Sequence, residues 1–349
     1  MEISRRTVAL CIGGAMAWLS LAACRSQERA PVPEEHNSAA DTLLPPAATS
    51  VAVPETLRYR VQPRQWYEYW MTRVDTVVYD SLQQTSRIWQ YYTKTVRRVY
   101  PDGRIELGVR IDTLAATFVT PDSLGAPQRI SYDSRRREDR QNPNFTHLNA
   151  LLGAEVRMLV SPLGQIDSIY GLEPIIRRLM RGVADSIPPQ LMAALSQRIE
   201  EQIYRPLQQE YLAFPSGRID TSRSWAESYP DALASIFPTR NTARYVIVGE
   251  QLLEGRRALE IAAQLRTEVL QRRQQEGALR AELRNERLSG GGNILVDAQE
   301  GYTVRKSLRL QMQFEVVLQD TARASTENFR QATATHVEFG LARRGWSSK

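Results

Sequence analysis

Cysteine is nearly absent from this 349-residue chain, and the two that occur, Cys11 and Cys24, both lie near its start. No disulfide framework, redox pair or thiolate metal site can form downstream of them. Histidine is almost as scarce: His36, His147 and His336 have no zinc-type spacing to one another, to cysteine or to a carboxylate. There is no Gly-x-Ser-x-Gly elbow, and Gly290-Gly291-Gly292 is not followed by the Gly-Lys-Ser/Thr of a phosphate loop. The sequence therefore points to no catalytic residue, metal or cofactor. Lysine is the other rarity: Lys94, Lys306 and Lys349 stand against 42 arginines. We read that bias as base composition of the genome. The net charge of +6 is spread along the chain, so no nucleic-acid partner is expected. The cluster Arg135, Arg136, Arg137 and Arg140 reads as a solvated loop, partly neutralised by Glu138 and Asp139.

Long apolar runs are also missing. The longest, from Val8 to Leu21, holds about a dozen apolar residues, short of the roughly 20 a spanning helix needs. Arg5 and Arg6 precede it and Leu21-Ala22-Ala23-Cys24 closes it. This order resembles the lipobox of a bacterial lipoprotein signal peptide. The resemblance implies removal of residues 1–23, a diacylglycerol on the Cys24 thiol, and attachment to a membrane through Cys24. The alternatives, a permanent anchor or a signal cut at an Ala-x-Ala site, need no cysteine there. Ser4-Arg5-Arg6-Thr7-Val8-Ala9-Leu10 also resembles a twin-arginine signal, so that route and the general one both stay open. Arg25 follows Cys24, where some bacteria place an aspartate to retain lipoproteins at the inner membrane. The expected location is the cell envelope, at the outer membrane.

Residues 24–56 read as the lipidated cysteine and a tether. The stretch Ala30 to Pro54 is rich in Pro, Ala, Ser and Thr, without sustained periodicity. Such a composition cannot bury enough apolar surface to offset backbone entropy. As a random coil it reaches roughly 30 Å.

The body, 57–349, reads mainly as strands. Trp66 to Tyr79 and Ile88 to Tyr100 are β-rich in composition. Asp102-Gly103 supplies a tight turn, after which Ile105, Leu107, Val109 and Ile111 alternate with polar neighbours. A second hairpin, 156–170, turns at Ser161-Pro162-Leu163-Gly164. Helical spacing appears at Leu172, Ile175, Ile176 and Leu179, then from Pro189 through Leu191, Leu195, Ile199, Ile203, Leu207 and Leu212, with Pro206 expected to kink or break it. Strands resume at Ser224, with 242–253 and 258–270 flanking Glu254-Gly255. Residues 274–288 fit helix or strand equally. Gly290-Gly291-Gly292 leads into a hairpin through Gly301, and 307–318 and 332–341 read as further strands.

The two halves repeat one order of cues: Trp66, a hairpin at 102–103 and one at Gly164; then Trp225, a hairpin at 254–255 and one at Gly301. The expected fold class is α+β, mainly antiparallel β. It has two curved sheet units, 57–170 and 214–341, with amphipathic helices at about 171–213 packed on a sheet face. The Asp-Gly hairpin, the Ser-Pro-x-Gly hairpin before a helix, the Phe214-to-Trp225 segment and the late Gly-rich hairpin resemble a domain family of secreted bacterial lipoproteins, especially of the Bacteroidota. The resemblance covers roughly 57–340, and that family carries no assigned activity. More distantly the layout looks like the half-barrels with helical lids of lipid-binding envelope lipoproteins. With the aromatics Trp66, Tyr67, Tyr69, Trp70, Trp89, Tyr91 and Tyr92, this implies a non-enzymatic binding or carrier module for an apolar ligand such as lipid. The alternative is a structural or assembly partner of an envelope protein.

Overall fold

The computed structural model describes residues 44–47, 52–80, 82–122, 125–180, 190, 209–234 and 236–347. Leu21, Ala22, Ala23 and Cys24, most of the tether, and the helix expected from Pro189 to Leu207 lie outside the described residues, apart from Gln190.

Alternation builds the strands. In β1 (Gln65–Tyr79), Tyr67, Tyr69 and Met71 turn inward and are buried, while Trp66 and Trp70 point to the other face. The outward tryptophans lie across glycines of the neighbouring strand. A Cβ at Gly340 would sit 2.5 Å from the Trp70 ring, and one at Gly345 would sit 2.6 Å from Trp66. The remaining strands are β2 (Leu82–Val99), β3 (Ile105–Pro121), β4 (Pro127–Asp133), β5 (Glu155–Val160), β6 (Ile166–Tyr170), β7 (Ser224–Leu233), β8 (Phe237–Leu253), β9 (Arg256–Val269), β10 (Arg273–Glu276), β11 (Leu279–Asp297), β12 (Thr303–Asp320) and β13 (Ser325–Trp346). The helices are short: α1 (Arg137–Gln141), α2 (Thr146–Leu151) and α3 (Glu173–Leu179).

All strands join one antiparallel sheet, ordered β6-β5-β3-β2-β1-β13-β12-β11-β9-β8-β7, with β4 on β3 and β10 on β11. Mainly antiparallel β with a few helices is thus the class, as the composition implies. The two halves are not separate sheets. Residues 57–170 supply β1–β6, residues 214–341 supply β7 to most of β13, and the blocks meet edge to edge where β1 pairs with β13. Within the blocks the orders 6-5-3-2-1 and 12-11-9-8-7 correspond strand for strand.

Four expectations need correction. Residues 134–149 are not an open loop: they form α1, a 3-10 turn at Pro143–Phe145 and α2, and Phe145 and Leu148 are buried. Those two apolar residues, spaced by three, were outweighed in the sequence by the surrounding charge. Gly290-Gly291-Gly292 does not lead into β11 but lies within it, because no side chain fits there: a Cβ at Gly292 would lie 1.9 Å from the Ser307 carbonyl oxygen. The amphipathic run does not reach Leu212 as helix, since 209–214 is irregular and buried. Finally, the packed body begins before Leu57: Val53 packs against the core, and Ile219 N–H donates to Glu55 O at 2.9 Å. Residues 274–288, open in the sequence, are β10 and the first part of β11.

The sheet has two distinct ends. The turns at Gly103, Gly164, Gly255 and Gly301 lie at one end, and the connections that follow β1, β7, β9, β10 and β12 lie at the other. The main apolar cluster, with Tyr69, Tyr92, Met158, Ile176 and Phe339, runs along the first block and takes in the first end of the second. A smaller one, Leu233, Phe237, Val269, Leu283, Phe314 and Val316, lies in the halves of β7, β8, β9, β11 and β12 nearer the second end.

Candidate functional site

The first end is closed by two irregular segments. Residues 57–61 cross from one block to the other: Tyr59 N–H donates to Pro162 O at 2.9 Å, and Arg60 N–H donates to Glu300 O at 2.8 Å. Residues 209–214 lie beside them, with Glu210 2 % exposed and Leu212 fully buried. A Cβ at Gly164 would lie 2.4 Å from the Leu212 carbonyl oxygen, so this turn approaches the segment at backbone distance.

A buried irregular segment must find partners for its backbone outside any ladder. Here side chains from separate elements supply most of them. Thr303 Oγ1 donates to Glu210 O at 3.0 Å, and Lys306 Nζ donates to Tyr211 O at 3.2 Å. Leu212 N–H donates to the Tyr59 hydroxyl at 3.0 Å, and that hydroxyl lies 3.4 Å from Leu212 O. Trp225 Nε1–H donates to Ala213 O at 2.9 Å, and Phe214 N–H donates to Leu163 O at 2.9 Å.

The Glu210 side chain provides the charge. Its carboxylate accepts from Lys94 Nζ, and from the Tyr92 hydroxyl at 2.6 Å. Lys94 Nζ also donates to the Tyr211 hydroxyl at 3.1 Å and lies 4.7 and 4.3 Å from the ring centres of Tyr69 and Tyr211. Lys94 faces inward because it continues the Tyr92–Lys94–Val96 alternation. Lys306 faces inward in the same way, continuing the alternation of Leu310, Phe314 and Val316 on β12. The register of β12 against β11 slips between Leu295 and Val296, so Val304 is an extra residue and Thr303, three before Lys306, also turns inward.

Burial pushes both amines down. Lys306 falls to about 8 against the opposing pull of Glu210 and of Glu227 on β7, and Lys94 is lowered against Glu210. Burial, with Glu210 adding to it, raises the phenols of Tyr69, Tyr92 and Tyr211 well above their ordinary value, so they remain neutral. A lysine near 8 has the basicity of a nucleophile or general base. The adjoining cavity, lined by tyrosines and by Lys94, Glu210 and Thr303, is small, about 30 Å³, room for a few ordered waters. As it stands the centre holds a segment in place.

Other residues singled out in the sequence are not brought together. His147 is exposed on α2, while His336 on β13 meets Ser307 Oγ at 3.2 Å and Glu338 at 3.4 Å. Among the described residues no group of metal-ligating side chains occurs, and no helix is long and apolar enough to cross a membrane. Arg135 pairs with Asp133 at 2.7 Å and stacks over Trp89. The aromatics of 66–92 divide by face: Tyr67, Tyr69 and Tyr92 are buried, and Trp66, Trp70, Trp89 and Tyr91 are half-buried on the other side. Sequence reasoning missed the lysine–glutamate centre. The signal was present in the rarity of lysine: both lysines among the described residues are buried here.

No curated protein matches the chain in sequence. Among solved structures, one of lipid–protein interactions in lipovitellin aligns at TM-score 0.44 with 11 % identity, over 82 % of this chain and 26 % of that one. DynF of the dynemicin biosynthesis pathway of Micromonospora chersina aligns at 0.17 with 8 % identity, over 87 % and 90 % of the two chains. Pseudomonas aeruginosa OccK7 (OpdD) aligns at 0.21 with 8 % identity, over 81 % and 100 %. The chain spans about a quarter of the lipovitellin chain, and at these scores the likenesses carry no functional argument. A sequence-family model does match residues 116–303, from β3 to the first residue of β12 and including Glu210, and on that match the chain belongs to the family of unknown function DUF6263.

Proposed function

We propose that the mature chain is a non-catalytic binding module, tethered to the bacterial envelope through lipidated Cys24, that takes up an apolar ligand such as a lipid. The observation that supports this most is the placement of exposed apolar side chains. Eight large hydrophobic residues are exposed among the described residues, and five of them, Leu82, Ile130, Ile236, Leu270 and Leu279, lie at or near the second end of the sheet. Scattered single exposures are ordinary on any surface, whereas a concentration at one rim marks a contact site for apolar matter. The smaller cluster around Phe237 and Phe314 lies in the halves of the strands nearer that end. In this reading Cys24, with Leu21, Ala22 and Ala23 before it, is the anchor, and the protein belongs to the cell envelope at the outer membrane.

The test is native mass spectrometry of the chain purified from cells with its leader exchanged for a cleavable, non-lipidating one. A stoichiometric lipid mass on the protein is the expected result. A lipid-free protein that instead captures one envelope protein in equal amount would replace this reading with that of an assembly partner.

A further inference from the structure

The segment Gln209–Phe214 makes no ladder pairing with any strand, so the sheet's own hydrogen bonds do not depend on it. It joins what the sheet leaves apart. β6 and β7 are the two edge strands, and the segment touches both sides: Phe214 N–H reaches Leu163 in the β5–β6 turn, and Ala213 O takes the indole N–H of Trp225 on β7. Between these contacts, Glu210 binds β2 through Lys94 and Tyr92, while Thr303 and Lys306 of β12 bind the backbone.

Three charged side chains are buried to fix this one short segment. Well-packed hydrophobes of similar volume would commonly be as stable or more so, and the best-attested use of such buried charge is to specify a register or a switch. Removing the carboxylate leaves the buried Lys94 without its ion-pair partner, and letting the segment out into water relieves that burial.

We propose that Gln209–Phe214 is an ionic latch, bolted by Glu210 to Lys94 and held beside Lys306, whose local release opens the closed end between β6 and β7 while the sheet stays folded. What release admits rests on the apolar-ligand reading above; release itself does not.

Hydrogen exchange of the full chain tests it, read at the amides of Leu212 and Phe214, whose bonds go to Tyr59 and Leu163. In Glu210→Gln these two amides should exchange faster by about 100-fold or more, with the amides of β1 and β13 unchanged. Equal acceleration in the strands, or no change at 212 and 214, overturns the latch. Tyr59→Phe, which keeps every charge, serves if the first variant does not fold. It should accelerate the same two amides by about 10-fold, and no acceleration overturns the proposal. A fluorescent fatty acid added to both proteins separates the two readings. Faster uptake by Glu210→Gln supports latch and ligand together. Accelerated amides with no uptake by either protein leave the latch standing and refute the apolar ligand.

Discussion

Replacing Lys306 with methionine should make this protein more stable at neutral pH. The ammonium is buried, and its pKa falls from 10.5 to about 8. Because the folded value lies below the unfolded one, the unfolded chain binds more protons between about pH 8 and 10.5. Stability therefore rises with pH across that window, and below it the charged amine costs about 3 kcal/mol relative to the neutral one. Methionine removes that cost and retains most of the volume. It forfeits the donor to Tyr211 O, a loss of about 1–2 kcal/mol for a buried carbonyl. The net expectation is a gain of about 1–2 kcal/mol at pH 7, with Glu210 still neutralised by Lys94. Urea unfolding of both proteins at pH 7, 8, 9 and 10, followed by tryptophan fluorescence, checks it. The advantage should shrink as pH climbs toward 10.5. Taking the difference between the two proteins cancels the buried tyrosines, which lose stability above pH 10 in both. A variant destabilised by more than about 2 kcal/mol at pH 7, with a pH curve parallel to the parent's, would refute the reasoning.

Other positions give sharper single outcomes. Gly292→Ala should cost about 2–4 kcal/mol in a denaturant titration, because its methyl meets the Ser307 backbone, while Gly255→Ala should cost about 1 kcal/mol, since only its positive φ of 76° is strained. Asp297 is buried, which raises its pKa, but hydrogen bonds from Arg256 and from the Gln299 and Glu300 amides outweigh this and hold it below the usual carboxylate range. Its contribution is complete above about pH 4 and is lost as pH falls, so Asp297→Ala should lower the melting temperature at pH 7 and narrow its gap to the parent near pH 3. Cys24→Ser should abolish incorporation of radiolabelled palmitate and release from the membrane fraction should follow. Continued labelling would remove the lipobox reading.

Much of the sheet was legible because its cues are local. Asp102-Gly103 and Glu254-Gly255 are turns by chemistry, and the inward face of Ile105, Leu107 and Val109 follows from alternation. The choice of strand for 258–270 over helix holds as β9. Residues 134–149 misled because two apolar contacts decide their packing and thirteen charged or polar neighbours decide their appearance. The lysine–glutamate centre was invisible for another reason. Lys94, Glu210 and Lys306 are more than 90 residues apart from one neighbour to the next, and no spacing rule connects them.

By itself the sequence determined the strands, most of their turns, the division into two blocks and the expectation of an anchor at Cys24, since each rests on neighbours within a few residues. Only the tertiary structure decided that the blocks share one sheet, through the pairing of β1 with β13, residues that meet across almost the whole chain. It also decided that Thr303 turns inward beside Lys306, because one bulged residue, Val304, reverses the parity of the strand that carries it. Side-chain direction in a strand depends on register, and register is a property of the pair.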